Sequence, residues 1–236
     1  SKEANVHLSP EAAQRHRQRV GQALSVGDVL LVPAARMTAR NSDVHHRFRQ
    51  DSDFYYLTAF PEPEALAVIE CGEAGLVYSL FVQPRDPQKE VWDGYRAGVE
   101  GAVSRFGATK AYSVAELDAT MPDLLDGASR VIYPLGNTAL QEQLSGWRQT
   151  LQSKARTGAS CPSVFVDLSS VVHEIRLIKD QDELVLMERA AQISVTAHLK
   201  AMTAGIPGSS EHALEGIIEG IIVPLQQDVL EQLFVR

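Results

Sequence analysis

The sequence predicts an α/β fold: a mixed sheet between helices, in a largely three-layered build, over residues 1–160, followed by a helical segment over 167–236. Two observations carry the prediction. Up to about Gln152, short apolar runs rich in β-branched residues alternate with segments of helical periodicity, the order in which strands and their covering helices share one core. A stretch holding Gly158, Ser160, Pro162 and Ser163 then interrupts the alternation and reads as a linker over 154–166, after which the pattern is helical.

The elements follow in order. Ser9-Pro10-Glu11 opens a helix with a hydroxyl cap, a proline in the first turn and an anion at the positive end of the dipole, and the helix is expected to reach about Ala23. Asp28–Pro33 is an apolar strand, and residues 36–51 are polar and irregular and read as loop. The aromatic run Phe54–Phe60, closed by Pro61-Glu62-Pro63, precedes strands at Ala65–Glu70 and Leu76–Val82, with Gly72-Glu73-Ala74-Gly75 of hairpin length between them. A helix over Val99–Phe106 stops at Gly107, and Ala111-Tyr112 is a strand fragment. A helix over Val114–Leu125 is expected to break at Pro122, a strand covers Arg130–Tyr133, and Asn137 caps a helix to Gln152.

In the last third, Asp180 caps a long helix with Glu183 as its capping-box partner. Leu184, Met187, Ala191, Val195, His198 and Met202 fall on one face, which Ala190, Ala197 and Ala201 widen, and this broad face is the expected buried side. Gly205-Ile206-Pro207-Gly208 ends that helix, and Ser209 caps a further one that Pro224 interrupts.

Composition narrows the function classes. With 236 residues, 44% of them hydrophobic and 22% charged, the chain buries a core without disulfides or metal. Cys71 and Cys161 form neither a disulfide framework nor a zinc spacing, and are expected free and buried in a cytoplasmic protein. Ser1–His7 carries no signal-peptide core and no apolar run is of membrane-spanning length, so no membrane partner is expected. The net charge of -8 opposes a nucleic-acid partner; Arg15, Arg17 and Arg19 read as a solvated helix face.

Local constellations name no reaction. Glu211, His212, Glu215 and Glu219 share one helical face at spacings that suit a metal, and equally suit a solvated helix start. His198 reads as a core histidine, and His45-His46, flanked by Arg47 and Arg49, as a polar loop pair. No nucleophile elbow, zinc-protease motif, phosphate-binding loop or dinucleotide fingerprint is present.

Three segments carry a family resemblance. Arg40-Asn-Ser-Asp43, then Arg47-Phe-Arg-Gln-Asp-Ser-Asp-Phe-Tyr-Tyr-Leu-Thr-Ala-Phe-Pro-Glu-Pro-Glu-Ala65, closely resembles a block of the Xaa-Pro aminopeptidases (aminopeptidase P), with Ala59 where the family usually has Gly. Phe81–Pro87 and Glu90–Gly98 resemble the next block of the same N-terminal domain. Val172-His-Glu-Ile-Arg-Leu-Ile-Lys-Asp180, followed by Glu183, Met187, Arg189 and Pro207-Gly208, resembles the entry to the creatinase-type, "pita-bread" catalytic domain.

The resemblance implies an N-terminal domain of the creatinase/prolidase type over 1–160 and the incomplete helical beginning of a pita-bread domain over 167–236. It implies metal-dependent removal of an N-terminal residue preceding proline, on proline-containing peptides, with two metal ions, often manganese. No position matches the family's two Asp, one His and two Glu ligands, so no catalytic residue, metal ligand or cofactor is expected on these residues, and the chain is expected to be inactive alone. Trp92, Asp43 and Arg156 match family positions beside the substrate. A homo-oligomer is expected. The other readings of the resemblance are a non-catalytic oligomerisation or regulatory module and a fragment of a prolidase-type dipeptidase.

Overall fold

The computed structural model describes residues 7–37, 39–41, 44–45, 48–86 and 96–226. The chain divides into two compact units, Pro10–Ile178 and Lys179–Arg236 with Ser1–Ser9.

In the first unit, helix α1 (Pro10–Gly21) leads to β1 (Asp28–Pro33), the short strands β2 (Ala39–Asn41) and β3 (Val44–His45), and α2 (Ser52–Thr58). The hairpin β4 (Leu66–Gly72) and β5 (Gly75–Val82) follows, then α3 (Gly98–Ser104), β6 (Lys110–Ser113) and, after a 3-10 turn, α4 (Leu117–Leu125). β7 (Arg130–Tyr133), α5 (Thr138–Ser153), β8 (Val164–Asp167) and α6 (Ser169–Leu177) complete it. The sheet order is β6-β5-β4-β1-β7-β8. β4 is antiparallel to β1 and β5, and the remaining pairs are parallel, so the sheet is mixed and β4 alone runs against the rest.

β1 is buried on both faces, which is why it reads as a continuous apolar run rather than an alternating one. Leu30 and Val32 join Val20, Phe54, Phe60, Ile69 and Phe106 on one face of the sheet. Val29 and Leu31 join Val68, Phe81, Met121, Leu144 and Trp147 on the other. These two cores make the three expected layers. The bounds of β1 and β7 are those the sequence predicts.

Several expectations are corrected. The stretch expected to be a linker over 154–166 contains most of β8, which pairs in parallel with β7, so the first unit extends to Ile178 rather than ending near 160. The loop at 36–51 contains β2 and β3. α4 continues through Pro122, which costs it one backbone donor but places a buried ring beside Met121 and Leu125. Arg17 is not on a solvated face. With His16 it is buried, because both satisfy the last carbonyls of α2: Arg17 Nη1 donates to Leu57 O at 2.7 Å and His16 Nδ1 to Tyr56 O at 2.8 Å. The Arg17 guanidinium lies 4.0 Å over the Tyr78 ring and the His16 ring stacks on Tyr56 at 3.8 Å.

α2 is short and strongly fixed. Asp51 Oδ1 accepts from the N–H groups of Asp53 (3.0 Å) and Phe54 (2.9 Å), and the helix ends at Ala59, a left-handed residue with φ 53°. An L-residue with a Cβ is strained there, and glycine is not. Ala59→Gly is therefore expected to raise stability by about 0.5–1 kcal/mol, the strain relief exceeding the burial lost with one methyl. A urea midpoint that fails to rise would show that the strain is not stored at this residue.

In the second unit, α7 (Gln181–Ala204) starts at the expected Asp180–Glu183 capping box, and α8 (Glu211–Gln226) packs against it. Its buried positions lie on the alanine margin of the predicted face rather than on its large residues. Ala190, Ile193, Ala197 and Ala201 are buried, whereas Leu184, Val195 and Met202 are exposed. Small residues let helix backbones approach closely, so the face with the smaller side chains is the one that is covered. His198 is likewise exposed, with its Nδ1 2.8 Å from Ser194 O. Ser210, not Ser209, accepts from the first turn of α8, and α8 runs past Pro224. Among the described residues no helix is long and apolar enough to cross a membrane.

Candidate functional site

Because five strands point one way, the carboxyl ends of β1, β5, β6, β7 and β8 share one edge of the sheet. A cleft of about 1010 Å³ opens at that edge, lined by the segments after β1 and β7 and by the starts of α2 and α5. Crevices outside strand carboxyl ends are where α/β sheets present loops and helix starts to ligands. Arg36 and Arg49 supply positive charge to it, and Asp51, Asp53 and Glu64 negative charge.

Gln50 organises the floor. Its Oε1 accepts from both Ala35 N (2.9 Å) and Asp51 N (2.9 Å), and its Nε2 donates to Phe60 O (3.2 Å) and Glu62 O (2.8 Å). The side chain is 4% exposed, so these are four bonds made largely away from water. The glutamates beyond it are engaged too. Glu62 Oε1 accepts from Ala97 N at 2.6 Å, and Glu64 Oε2 from Gln83 Nε2 at 3.2 Å.

Asp53 ties α2 to α6, accepting from Arg176 and lying 3.0 Å from His173 Nε2. At the end of β8, the Ser169 hydroxyl and the Leu135 N–H hold Asp167 below the usual carboxylate range.

The cleft does not fit a two-metal centre. Asp51 caps a helix, Asp53 is paired with Arg176 and Glu64 accepts from Gln83, whereas bridging metals need several donors converging on one point. Among the described residues of 10–178, no three His, Cys, Asp or Glu donors are close enough to share an ion. In the other unit, His212 Nδ1 sits 3.5 Å from Glu215 with both side chains exposed, a solvated helix start. Cys71 and Cys161 are free but half-buried rather than buried.

Of the three sequence-predicted site residues, Asp43 and Trp92 lie outside the described residues. Arg156 is exposed on a turn beyond the C-terminal end of α5, at the opposite edge of the sheet from the cleft. Sequence reasoning passed over Gln50, Glu62 and Asp53 as individual residues. Their signal was present only as letters inside the Phe48–Ala65 block, since a lone amide or glutamate has no diagnostic spacing.

A profile of the aminopeptidase P N-terminal domain matches residues 13–133. The Xaa-Pro aminopeptidase of Escherichia coli K12 is 33% identical over 213 residues, covering 89% of this chain and 48% of that protein. The solved structure of the aminopeptidase PepP of Pseudomonas aeruginosa superposes with a TM-score of 0.89 at 39% identity, over 94% of this chain and 50% of that one. A zinc-substituted E. coli aminopeptidase P in complex with product superposes at 0.88 with 31% identity, again over 50% of its chain. The chain thus spans about half the length of the relatives it matches. The matched block includes the Asp51 cap, the Gln50 floor and the Pro61–Glu64 turn that shape the cleft, and by fold and sequence the chain belongs to the aminopeptidase P family.

Proposed function

We infer that this chain serves an Xaa-Pro aminopeptidase, a metal-dependent hydrolase that releases an N-terminal residue preceding proline. It supplies the N-terminal domain and the opening helices of the catalytic domain. The observation that carries this reading is the match over 94% of the chain to a solved aminopeptidase of twice the length. The poor fit of the cleft to a metal centre supports a division of labour: the metal ligands come from polypeptide outside these 236 residues, and the first unit shapes access to the substrate. Bound metal ions supply a Lewis acid and an activated water. In this reading Trp92 offers a rigid apolar face to the substrate and Asp43 a hydrogen-bond acceptor.

The test compares this chain with a polypeptide that also carries the catalytic half, both with manganese and an Xaa-Pro peptide. The longer protein is expected to release the first residue, and to stop when the metal is chelated. The 236-residue chain is expected to release none, and measurable cleavage by it would overturn the division of labour. One observation favours a role in association as well: Leu184, Val195, Leu199 and Met202 present apolar surface on α7. Sedimentation as a strict monomer would count against that role.

A further inference from the structure

The cleft at the carboxyl edge of the sheet carries a charge pattern that the described residues leave incomplete. Its three carboxylates are engaged. Asp51 accepts the N–H groups of Asp53 and Phe54, Asp53 is paired with Arg176, and Glu64 accepts from Gln83 Nε2 at 3.2 Å. Its two cations are not. Arg36 and Arg49 both line the cleft, and among the described residues neither finds a hydrogen-bond acceptor or an ion-pair partner.

The roots of these two side chains are fixed on one floor. Arg36 follows Ala35 and Arg49 precedes Gln50. Gln50 Oε1 takes the N–H of Ala35 and that of Asp51, each at 2.9 Å, so a single buried oxygen brings the backbone beside the two arginines together. Two guanidinium groups placed in this way are preorganised for one carboxylate, which Arg pairs with good geometry. α5 turns its positive end to the same cleft at Asn137 and Thr138. Leu66, Leu117, Pro134 and Leu168 supply apolar wall. At about 1010 Å³ the cleft has room for several residues of extended peptide.

We propose that the cleft binds the carboxyl-terminal end of a peptide, with Arg36 and Arg49 pairing the terminal carboxylate and the apolar wall receiving the side chains before it. This deepens the reading given above and rests on it for the choice of a peptide. The carboxylates in the lining oppose a doubly charged phosphate more than a singly charged carboxylate. Arg36 and Arg49 are then specificity-determining residues. The peptidase reaction concerns the first residue of the peptide, and this cleft reads the last.

The test is made on the 236-residue chain by titration calorimetry, with an Xaa-Pro hexapeptide as the free acid and as the carboxyl-terminal amide. The acid is expected to bind about tenfold more tightly than the amide, the worth of a charge-assisted pair, and added salt to remove most of the difference. The double variant Arg36→Gln, Arg49→Gln is expected to lose the preference for the acid. Its affinity for the amide and its melting temperature are expected to stay the same, since neither side chain bonds to the rest of the described fold. Gly136 lines the cleft, and a Cβ built on it meets nothing within 4 Å. Gly136→Phe is therefore expected to fill the cleft without strain and to weaken binding of both peptides.

Equal binding of acid and amide by the unmodified chain would overturn the proposal, as would binding of neither. So would a preference that survives in the double variant, or inorganic phosphate bound as tightly as the peptide acid. Absence of Xaa-Pro cleavage by the polypeptide that includes the catalytic half would overturn the function reading instead. The comparison of acid with amide needs no cleavage and still decides what the cleft binds.

Discussion

Gln50→Leu is expected to destabilise the first unit by about 4 kcal/mol, and to lower its melting temperature by about 10 °C. Leucine fills nearly the same volume, so packing contributes little to the loss. The effect comes from four backbone groups left without their partner: the N–H groups of Ala35 and Asp51 and the carbonyls of Phe60 and Glu62. An unmet buried polar group costs about 1–3 kcal/mol, and water reaches part of this site through the cleft, which places the sum below the full additive value. Denaturant unfolding followed by circular dichroism measures it. A loss under about 1 kcal/mol would show that water replaces the amide at all four positions.

Asp28→Asn is expected to cost about 3 kcal/mol near neutral pH. Asp28 is 1% exposed at the start of β1, and it receives Arg130 Nε at 2.8 Å, a second contact from Arg130 Nη2, and the Ser25 N–H at 2.8 Å. Asparagine keeps the shape but removes the charge that faces the guanidinium. The value sits at the low end for a broken buried pair because Arg130 is partly exposed.

The hydrogen bonds from Arg130, outweighing desolvation, hold the Asp28 carboxyl below its ordinary value. A depressed carboxylate contributes stability that is fully present above the unfolded-state value of about 4 and is lost as pH falls through the folded one. The gap between the unmodified protein and Asp28→Asn is therefore expected to be constant from neutral pH to about pH 5 and to shrink below about pH 4. A gap that does not change with acid would mean that the pair contributes nothing through charge.

The parts of the fold that were legible are those set by local chemistry. β1 and β7 carry β-branched apolar runs ended by proline, the Asn137 and Asp180 caps hydrogen-bond forward into their own helices, and all were read with bounds close to those observed. β8 was not legible because its four residues become a strand only by pairing with β7, while the Gly, Ser and Pro before them carry the stronger local signal. On α7 the alanines that widen the expected face, Ala190, Ala197 and Ala201, are buried, but its large residues Leu184, Val195 and Met202 are not, because hydrophobicity scales weight Leu and Met above Ala whereas close helix packing rewards the small side chain. Arg17 was misread because its acceptor, the Leu57 carbonyl, lies 40 residues away.

At the candidate site the motif letters were recognised but their roles were not. Gln50 and Glu62 act through backbone groups, and any residue type can offer those. Asp43 and Trp92 came from the resemblance alone.

The placement of β1 between β4 and β7 has a kinetic consequence. Its antiparallel partner β4 is separated from it by residues 34–65, a much shorter span than the one that leads to β7, and β4 and β5 close on a two-residue turn, so this three-strand meander costs less loop entropy than the β1–β7 pairing. Its parallel partner β7 arrives much later in sequence, with Asp28 and Arg130 102 residues apart. The meander is the natural folding nucleus, and the β1–β7 seam closes after it. Loss of the Asp28–Arg130 contact should then leave the refolding rate nearly unchanged and appear almost wholly as faster unfolding, which makes that pair a latch on the lifetime of the native state.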